Sequence, residues 1–417
     1  MLPPGTIRKA KNSSRTKTFL LVAFVCSFAL LVGSRSSASL RGTDFPDFYC
    51  AARMLAEGHG HELYDADVQR EYQARYAGRV GTLYIHPPFE AVLYLSMVWL
   101  PLRRASLLWS FFNLAVLAAT VRRLAKETLL SWDWQVLLVA SLTFVPCLLC
   151  ILQGQDSLLL LLLVVLAFTA LRQNREFACG CWLALGLFKF EIVLPMTLVL
   201  VLTQSESATR ALVKGFGLIA LLLAGLSAAI AGWSVFSVYP KFLLHLQAQP
   251  FAGVVPNAMA NFRGLANVFF HRDGTALAIA FLATCSALTL LKTVRHWKGA
   301  RLAPQSSLAG NNRHEFDLAF ANTVLFALLV SYHLNPHDLS LLLLPIFMLL
   351  HQSLARIPSF RARENWMTVV LIAILFLPPA HLWALRAGVY ALLCLPALAF
   401  FLVSASRDQT GKGVLVT

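Results

Sequence analysis

Charge is scarce in this chain: 13% of its 417 residues are Asp, Glu, Lys or Arg, about half the share of a water-soluble domain. A soluble globular protein is thereby excluded. The chain also has no Gly-rich phosphate loop, no HExxH zinc pattern and no ordered Ser-His-Asp set, so nucleotide hydrolysis, zinc proteolysis and serine hydrolysis lack the residues they need. No internal repeat, low-complexity tract or soluble module interrupts it. The 35 basic residues give a formal net charge of +15 but form no single aromatic-interleaved patch, and nucleic acid is not an expected partner. Nor do the eight cysteines make a disulfide framework. Cys26, Cys147, Cys150, Cys285 and Cys394 lie inside apolar runs, where a thiol behaves as a small hydrophobe. Cys147 and Cys150 have CxxC spacing with neither a second pair nor a histidine beside them, so no zinc site is expected and no metal ligand is assigned.

What the chain has in excess is apolar length. Hydrophobic residues make up 58% of it, the mean hydropathy is +0.66, and apolar runs recur from Phe19 to Val403 with little strand-like alternation. In lipid the backbone must satisfy its own hydrogen bonds, so these runs predict an all-α polytopic membrane protein, one integral membrane domain over residues 1–417. About twelve spans are expected: Phe19 to Leu31, Leu107 to Val121, Trp134 to Leu152, Leu158 to Leu171, Cys179 to Phe188, Ile192 to Leu202, Phe216 to Ala231, Leu277 to Leu291, Leu318 to Ser331, Leu339 to Leu350, Val369 to Leu385 and Tyr390 to Leu402. The stretch from Cys179 to Leu202, interrupted by Lys189, Glu191 and Pro195, reads as a broken pair lining a cavity.

The basic residues fall in short clusters between apolar runs, around Arg15, Arg122, Arg172, Arg210, Arg295 and Arg361. By the positive-inside rule these clusters, and both termini, face the cytoplasm. The first helix reads as an uncleaved anchor. Counting Phe89 to Leu102 as a span would place the Arg122 and Arg172 clusters outside, so that segment is expected to lie on the outer leaflet as a juxtamembrane helix. Residues 36–104 then form an outer loop, residues 105–404 the helical bundle, and every unusual polar group lies on the outer face of the cell inner (plasma) membrane, periplasmic or extracellular.

Ionisable groups at membrane helix ends cost about 2.5 to 3.5 kcal/mol each to insert and are functional candidates by default. Asp44 lies just past the first helix among aromatics and suits a general base, against the alternative of an N-cap for the helix that follows. Asp47 is the second candidate for the base, or a first-turn carboxylate favoured by the helix dipole. Lys189 requires a counter-charge, either a phosphate or its neighbour Glu191. Arg263 suits a bidentate phosphate contact or a snorkelling interfacial role. His333 and His337, four apart but separated by Pro336, read as a polar lid over a phosphate or sugar, or as interfacial histidines. His86 has an extended backbone imposed by Pro87, which can turn its imidazole into a cleft. Gln153 and Gln155 suit sugar hydroxyls or helix capping.

The succession Asp44-Phe-Pro-Asp-Phe-Tyr49 with Ala51-Ala52, Leu63-Tyr-Asp65, Tyr84-Ile-His-Pro-Pro-Phe89, Leu100-Pro-Leu102 and Leu108-Trp109 resembles glycosyltransferase family 87, the polyprenol-phosphate-mannose-dependent α-mannosyltransferases of the GT-C superfamily. Gly154-Gln155, Gly186 to Lys189, Asn261 with Arg263-Gly264-Leu265, and Ser331 to His337 continue it in order, so the likeness covers about Asp44 to Pro345. The resemblance implies a GT-C helical bundle with an outer-face cavity, a polyprenyl-phosphate sugar donor, a lipid or glycan acceptor, inversion at the anomeric carbon, and neither nucleotide nor cofactor. It also implies that Asp44 is the base and that His86, Gln155, Lys189, Asn261, Arg263, His333 and His337 bind the donor's phosphate and sugar. Asp47, and Phe190-Glu191 after the lysine, depart from the family pattern and bear on the acceptor and the sugar. A transporter or flippase of a lipid-linked substrate is the alternative from another class, which the missing inverted repeat and the one-sided polar groups count against.

Overall fold

The computed structural model describes residues 40, 42–127, 133–245, 255–271, 274–302, 309–348 and 376–393, and the side chains of these except residues 301–314. Among the described residues every regular element is helical. We number the α-helices of seven or more residues α1 (Phe45–Ala56), α2 (Ala66–Tyr72), α3 (Leu102–Glu127), α4 (Trp134–Thr143), α5 (Val145–Gln153), α6 (Ser157–Arg172), α7 (Glu176–Leu185), α8 (Phe190–Thr203), α9 (Glu206–Ala231), α10 (Val235–His245), α11 (Phe262–Phe270), α12 (Ala276–Leu302), α13 (Ala309–Val330) and α14 (Pro378–Arg386).

Three of these, α3, α9 and α12, are long and apolar enough to cross a membrane, and the number rises to five if α4 with α5, and α7 with α8, each count as one bent span. The expected twelve are therefore not reached among the described residues. The first, and parts of the last two, lie outside them. The helix α6 and the helical run Pro336–Met348 are apolar but short. The α4–α5 bend of 73° falls at Phe144, whose backbone is extended (φ −69°, ψ 112°), two residues before Pro146; a proline there cannot donate to the preceding turn and clashes with its carbonyl. The α7–α8 bend of 62° begins at Gly186, and a tight turn over Leu187–Lys189 presents the lysine. The expected interruption is present, but Pro195 sits within α8 rather than at the break.

The segment after His86 is a helical turn, Pro88–Ala91, continued by a tighter turn, Val92–Met97. Ten residues at about 1.5 Å each reach half a bilayer's hydrocarbon, and Pro101 then precedes α3. As a helical segment it is too short to span the hydrocarbon.

Two packed regions result. A large apolar core joins α3 to α9 with α13 and the Pro336–Met348 run. A second, aromatic core lies under the polar loop: Phe45, Phe48, Tyr49, Tyr64, Tyr84 and Tyr94 pack together and onto Trp109 of α3 and Ala231 at the end of α9. Small residues set the helix spacing. A Cβ on Gly180 of α7 would lie 2.0 Å from the Leu212 carbonyl of α9, and one on Gly215 of α9 would lie 2.0 Å from the Phe177 carbonyl of α7, the close backbone approach that small residues permit between membrane helices. At the far end of α9, a Cβ on Gly60 would meet the Ile230 carbonyl at 2.2 Å. The loop is thereby docked on one end of the longest apolar helices.

Candidate active site

Asp44 stands where α1 begins, and Pro46 in the first turn sets the helical backbone there. The capping alternative is corrected: Asp44 has a helical backbone (φ −84°, ψ −17°) and its side chain caps no N–H. Its Oδ2 instead accepts from Gln155 Nε2 at 2.7 Å. Gln155 is brought there by Gly154, which ends α5 in the left-handed region (φ +75°) and lies so near Phe45 that a Cβ would be 2.5 Å from that side chain. Only glycine meets both demands. Asn113 of α3 holds the Gln155 carbonyl at 2.9 Å. The start of α1 and the end of α5 are thus joined at one carboxylate.

Around it opens a cleft of about 190 Å³ lined by Asp44, Asp47, Phe48, the segment Thr82 to His86, Gln153, Gln155, and His333 with Asn335 to His337. Four segments far apart in sequence converge here, and six of the nine expected site residues line it. Among its described lining residues there is no lysine or arginine.

Asp47, the second carboxylate, is already engaged. It accepts from Arg79 Nη2 at 3.0 Å, from Gln73 Nε2 at 3.1 Å and from the Thr82 hydroxyl. Burial pushes its carboxyl up to about 7, against Arg79 and Thr82, which hold it down. Its geometry is that of a clasp closing the loop over α1. His86 lies against Phe48 and Tyr84, with ring centroids at 4.9 and 5.6 Å. Burial, and then the Lys189 charge, bring its imidazole down to about 4, and the same two causes bring His333 down to about 3. Both are neutral at physiological pH. His333 lies before the helix that starts at Pro336, so it shares no helical face with His337; its Nε2 is 3.2 Å from Asn335 Nδ2. His337 Nδ1 is 2.9 Å from Gln153 Oε1. Among the described residues no three His, Cys, Asp or Glu side chains are grouped so as to hold a metal ion.

Lys189 lies behind this wall, 1% exposed. Its Nζ is 3.8 Å from Asp156 Oδ1 and 3.4 Å from Asp338 Oδ1. The Glu191 alternative is corrected here: the ion-pair partners within 4 Å are these two carboxylates. Asp338 also accepts from Ser157 Oγ at 2.6 Å and from the Asn335 backbone N–H at 2.8 Å, so the lysine is tied to the stretch carrying Asn335 and His337. Asn261 is also engaged within the fold. Its Oδ1 caps α11 at Gly264 N, 2.9 Å, and its Nδ2 donates to the Ser331 carbonyl at 2.7 Å, which uses the side chain structurally.

Arg263 opens on a different cavity, about 320 Å³, lined with Phe262, Leu282, Leu329, Val330, Ser331 and Tyr332 among others. Its guanidinium lies 4.0 Å from the Tyr332 ring centroid and Nη1 donates to the Tyr332 carbonyl at 3.0 Å. The two cavities share the stretch Ser331 to His333 as a partition. Sequence reading missed Glu90, Asp156 and Asp338. Each adjoins a residue already singled out, Phe89, Gln155 and His337, and the cost of a buried Lys189 charge was the signal that carboxylates must face it.

Residues 84–332, more than half of the chain, match glycosyltransferase family 87. Asp44, Asp47, His333 and His337 fall outside the matched stretch, so their place in the site rests on the geometry above. No curated protein and no solved structure matches the chain. With helices that suit a membrane, a cleft built at their ends and this match, the chain belongs to glycosyltransferase family 87 and is a membrane glycosyltransferase.

Proposed function

We propose that this glycosyltransferase moves a hexose, mannose by its family resemblance, from a polyprenyl-phosphate donor to a hydroxyl of a lipid or glycan acceptor, with inversion, at the outer face of the plasma membrane. The observation that carries the reading is the Asp44 carboxylate, held by Gln155 in an open cleft and committed to no helix cap. Asp44 takes the proton of the acceptor hydroxyl as that oxygen attacks the anomeric carbon; the bond from that carbon to the phosphate oxygen breaks, and its electron pair leaves with the lipid phosphate. The sugar occupies the Asp44 cleft, whose polar walls are uncharged imidazoles and amides apart from the carboxylates. The phosphate lies toward Arg263, the cation of the neighbouring cavity, whose walls of Phe262, Leu282 and Leu329 suit a prenyl chain. Lys189 acts from behind the partition, fixing Asp338 and with it the stretch that carries His337.

The test is turnover by the purified chain in detergent, with polyprenyl-phosphate mannose and a membrane-lipid extract as acceptor. Release of polyprenyl phosphate together with a mannosylated product is expected. Donor that is bound and recovered intact would support carriage without chemistry and overturn the reading.

Sidedness has its own test. Gly60 touches Ile230, 24 residues along α9 from Glu206, and at about 1.5 Å per residue that is more than the ~30 Å of hydrocarbon. His61 and Ser207, both exposed, therefore mark opposite faces. In a chain whose native cysteines are replaced, His61→Cys is expected to react with an impermeant thiol reagent in intact cells, and Ser207→Cys only after lysis. The reverse pattern would place the cleft in the cytoplasm.

A further inference from the structure

Glu90 lies one helical turn behind His86 and is fully buried. Its Oε2 is 3.0 Å from His86 Nδ1, and its carboxyl lies beside that of Asp156. None of the four oxygens of Glu90 and Asp156 has an aligned N–H or hydroxyl donor. Two buried carboxyls in contact, with no such donor, must share a proton between them. Facing Glu90 are also Lys189, Glu191 and the hydroxyls of Tyr64, Tyr84, Tyr94 and Tyr239. Three of those hydroxyls are already spent on the backbone of this segment: Tyr64 on the His86 carbonyl at 2.7 Å, Tyr84 on Pro87 at 2.8 Å, Tyr239 on Ile85 at 3.2 Å. They fix where the imidazole stands, and leave its proton to be placed by Glu90.

We propose that Glu90 is a positioning residue acting through His86: it shares one proton with Asp156, beside Lys189, a small turn of the imidazole brings the Nδ1 proton of His86 onto its Oε2, and the bare Nε2 left to the cleft accepts a hydrogen bond from a sugar hydroxyl. A phosphodiester has no proton to give, so the same nitrogen does not serve the donor's phosphate. His86 is thereby a sugar-reading residue, and one acidic side chain outside the cleft decides it. The electrostatics agree. Burial raises both carboxyls, Glu90 to about 8 and Asp156 well above the usual carboxylate range, so the pair holds a proton at neutral pH. His86 also faces Lys189, Asp156, Asp338 and Asp44, and burial, with the Lys189 charge, keeps it neutral against the carboxylates. The inference rests on the glycosyl-transfer reading for what the cleft binds, but the proton's position does not.

The experiment reads that position directly. Full-length chain labelled with 15N-histidine is reconstituted in lipid without substrate, and the His86 nitrogens are identified as the signals absent from His86→Gln. From about pH 6 to about pH 8, His86 is expected to be neutral, protonated on Nδ1 and bare on Nε2. Glu90→Gln, whose amide can take the same proton from His86 and give one to Asp156, is expected to keep that form. In Glu90→Leu the proton should move to Nε2. A wild-type His86 protonated on Nε2 or on both nitrogens overturns the proposal, and so does a tautomer unmoved in Glu90→Leu; should that variant not fold, the wild-type and Glu90→Gln spectra decide. A chain that transfers no sugar yet shows the expected tautomer would refute the functional reading and leave the Glu90 assignment standing.

Discussion

Asp44→Asn is expected to lower kcat at least about a hundredfold, the scale of a lost general base, while donor affinity stays within a few-fold. The amide keeps the shape, and its oxygen can still accept from Gln155 Nε2, which now bonds Oδ2 at 2.7 Å. What it cannot do is take the acceptor's proton. Asp47→Asn should cost far less turnover, because that carboxylate is occupied by Arg79, Gln73 and Thr82; its loss loosens the loop over α1 and shows in thermal stability. Steady-state rates and equilibrium donor binding, measured on both variants, separate the two roles. Activity retained in Asp44→Asn and abolished in Asp47→Asn would exchange them.

Lys189→Met is the second large effect, and it falls on stability. The substitution leaves Asp156 and Asp338, both fully buried, without the cation between them, and breaking a buried ion pair by removing one partner costs about 3 to 5 kcal/mol. A fall of several degrees in the thermal midpoint is expected, with loss of transfer because the stretch carrying Asn335 and His337 loses its anchor. Adding Asp338→Asn should recover a substantial part of the stability, since the two groups lie 3.4 Å apart and neighbours of this kind are strongly coupled. Glu191→Gln in place of Asp338→Asn should recover much less. Equal recovery by the two would return Glu191 to the pair.

The convergence of the site was legible because its members are anomalies. In a chain this apolar, Asp44, His86, Gln155, His333 and His337 are expensive where they stand, and that expense points to use. The helical class followed from the length of the apolar runs. What sequence spacing did not carry was partnership. Lys189 was read against Glu191, two residues away, whereas its paired carboxylates come from the start of α6 and from the helix at Pro336; local proximity says nothing about groups that three-dimensional packing brings together. Asn261 illustrates the opposite case. Asn-Phe-Arg-Gly at a helix start is an ordinary N-cap pattern, and the structure uses it so. Arg263, two residues on, was expected in one site with the histidines, and the backbone of Ser331 to Tyr332 divides them instead.

That division yields the most direct measurement of the central claim: a structure of the chain with an unreactive phosphonate analogue of polyprenyl-phosphate mannose bound. The sugar ring is predicted in the cleft between Asp44 and His337, the phosphonate toward the Arg263 guanidinium past the Ser331 to His333 partition, and the prenyl chain along Phe262, Leu282 and Leu329. A sugar ring seated elsewhere, for instance in the apolar groove between Pro88, Leu223 and Phe236, with Asp44 remote from the anomeric carbon, would contradict it.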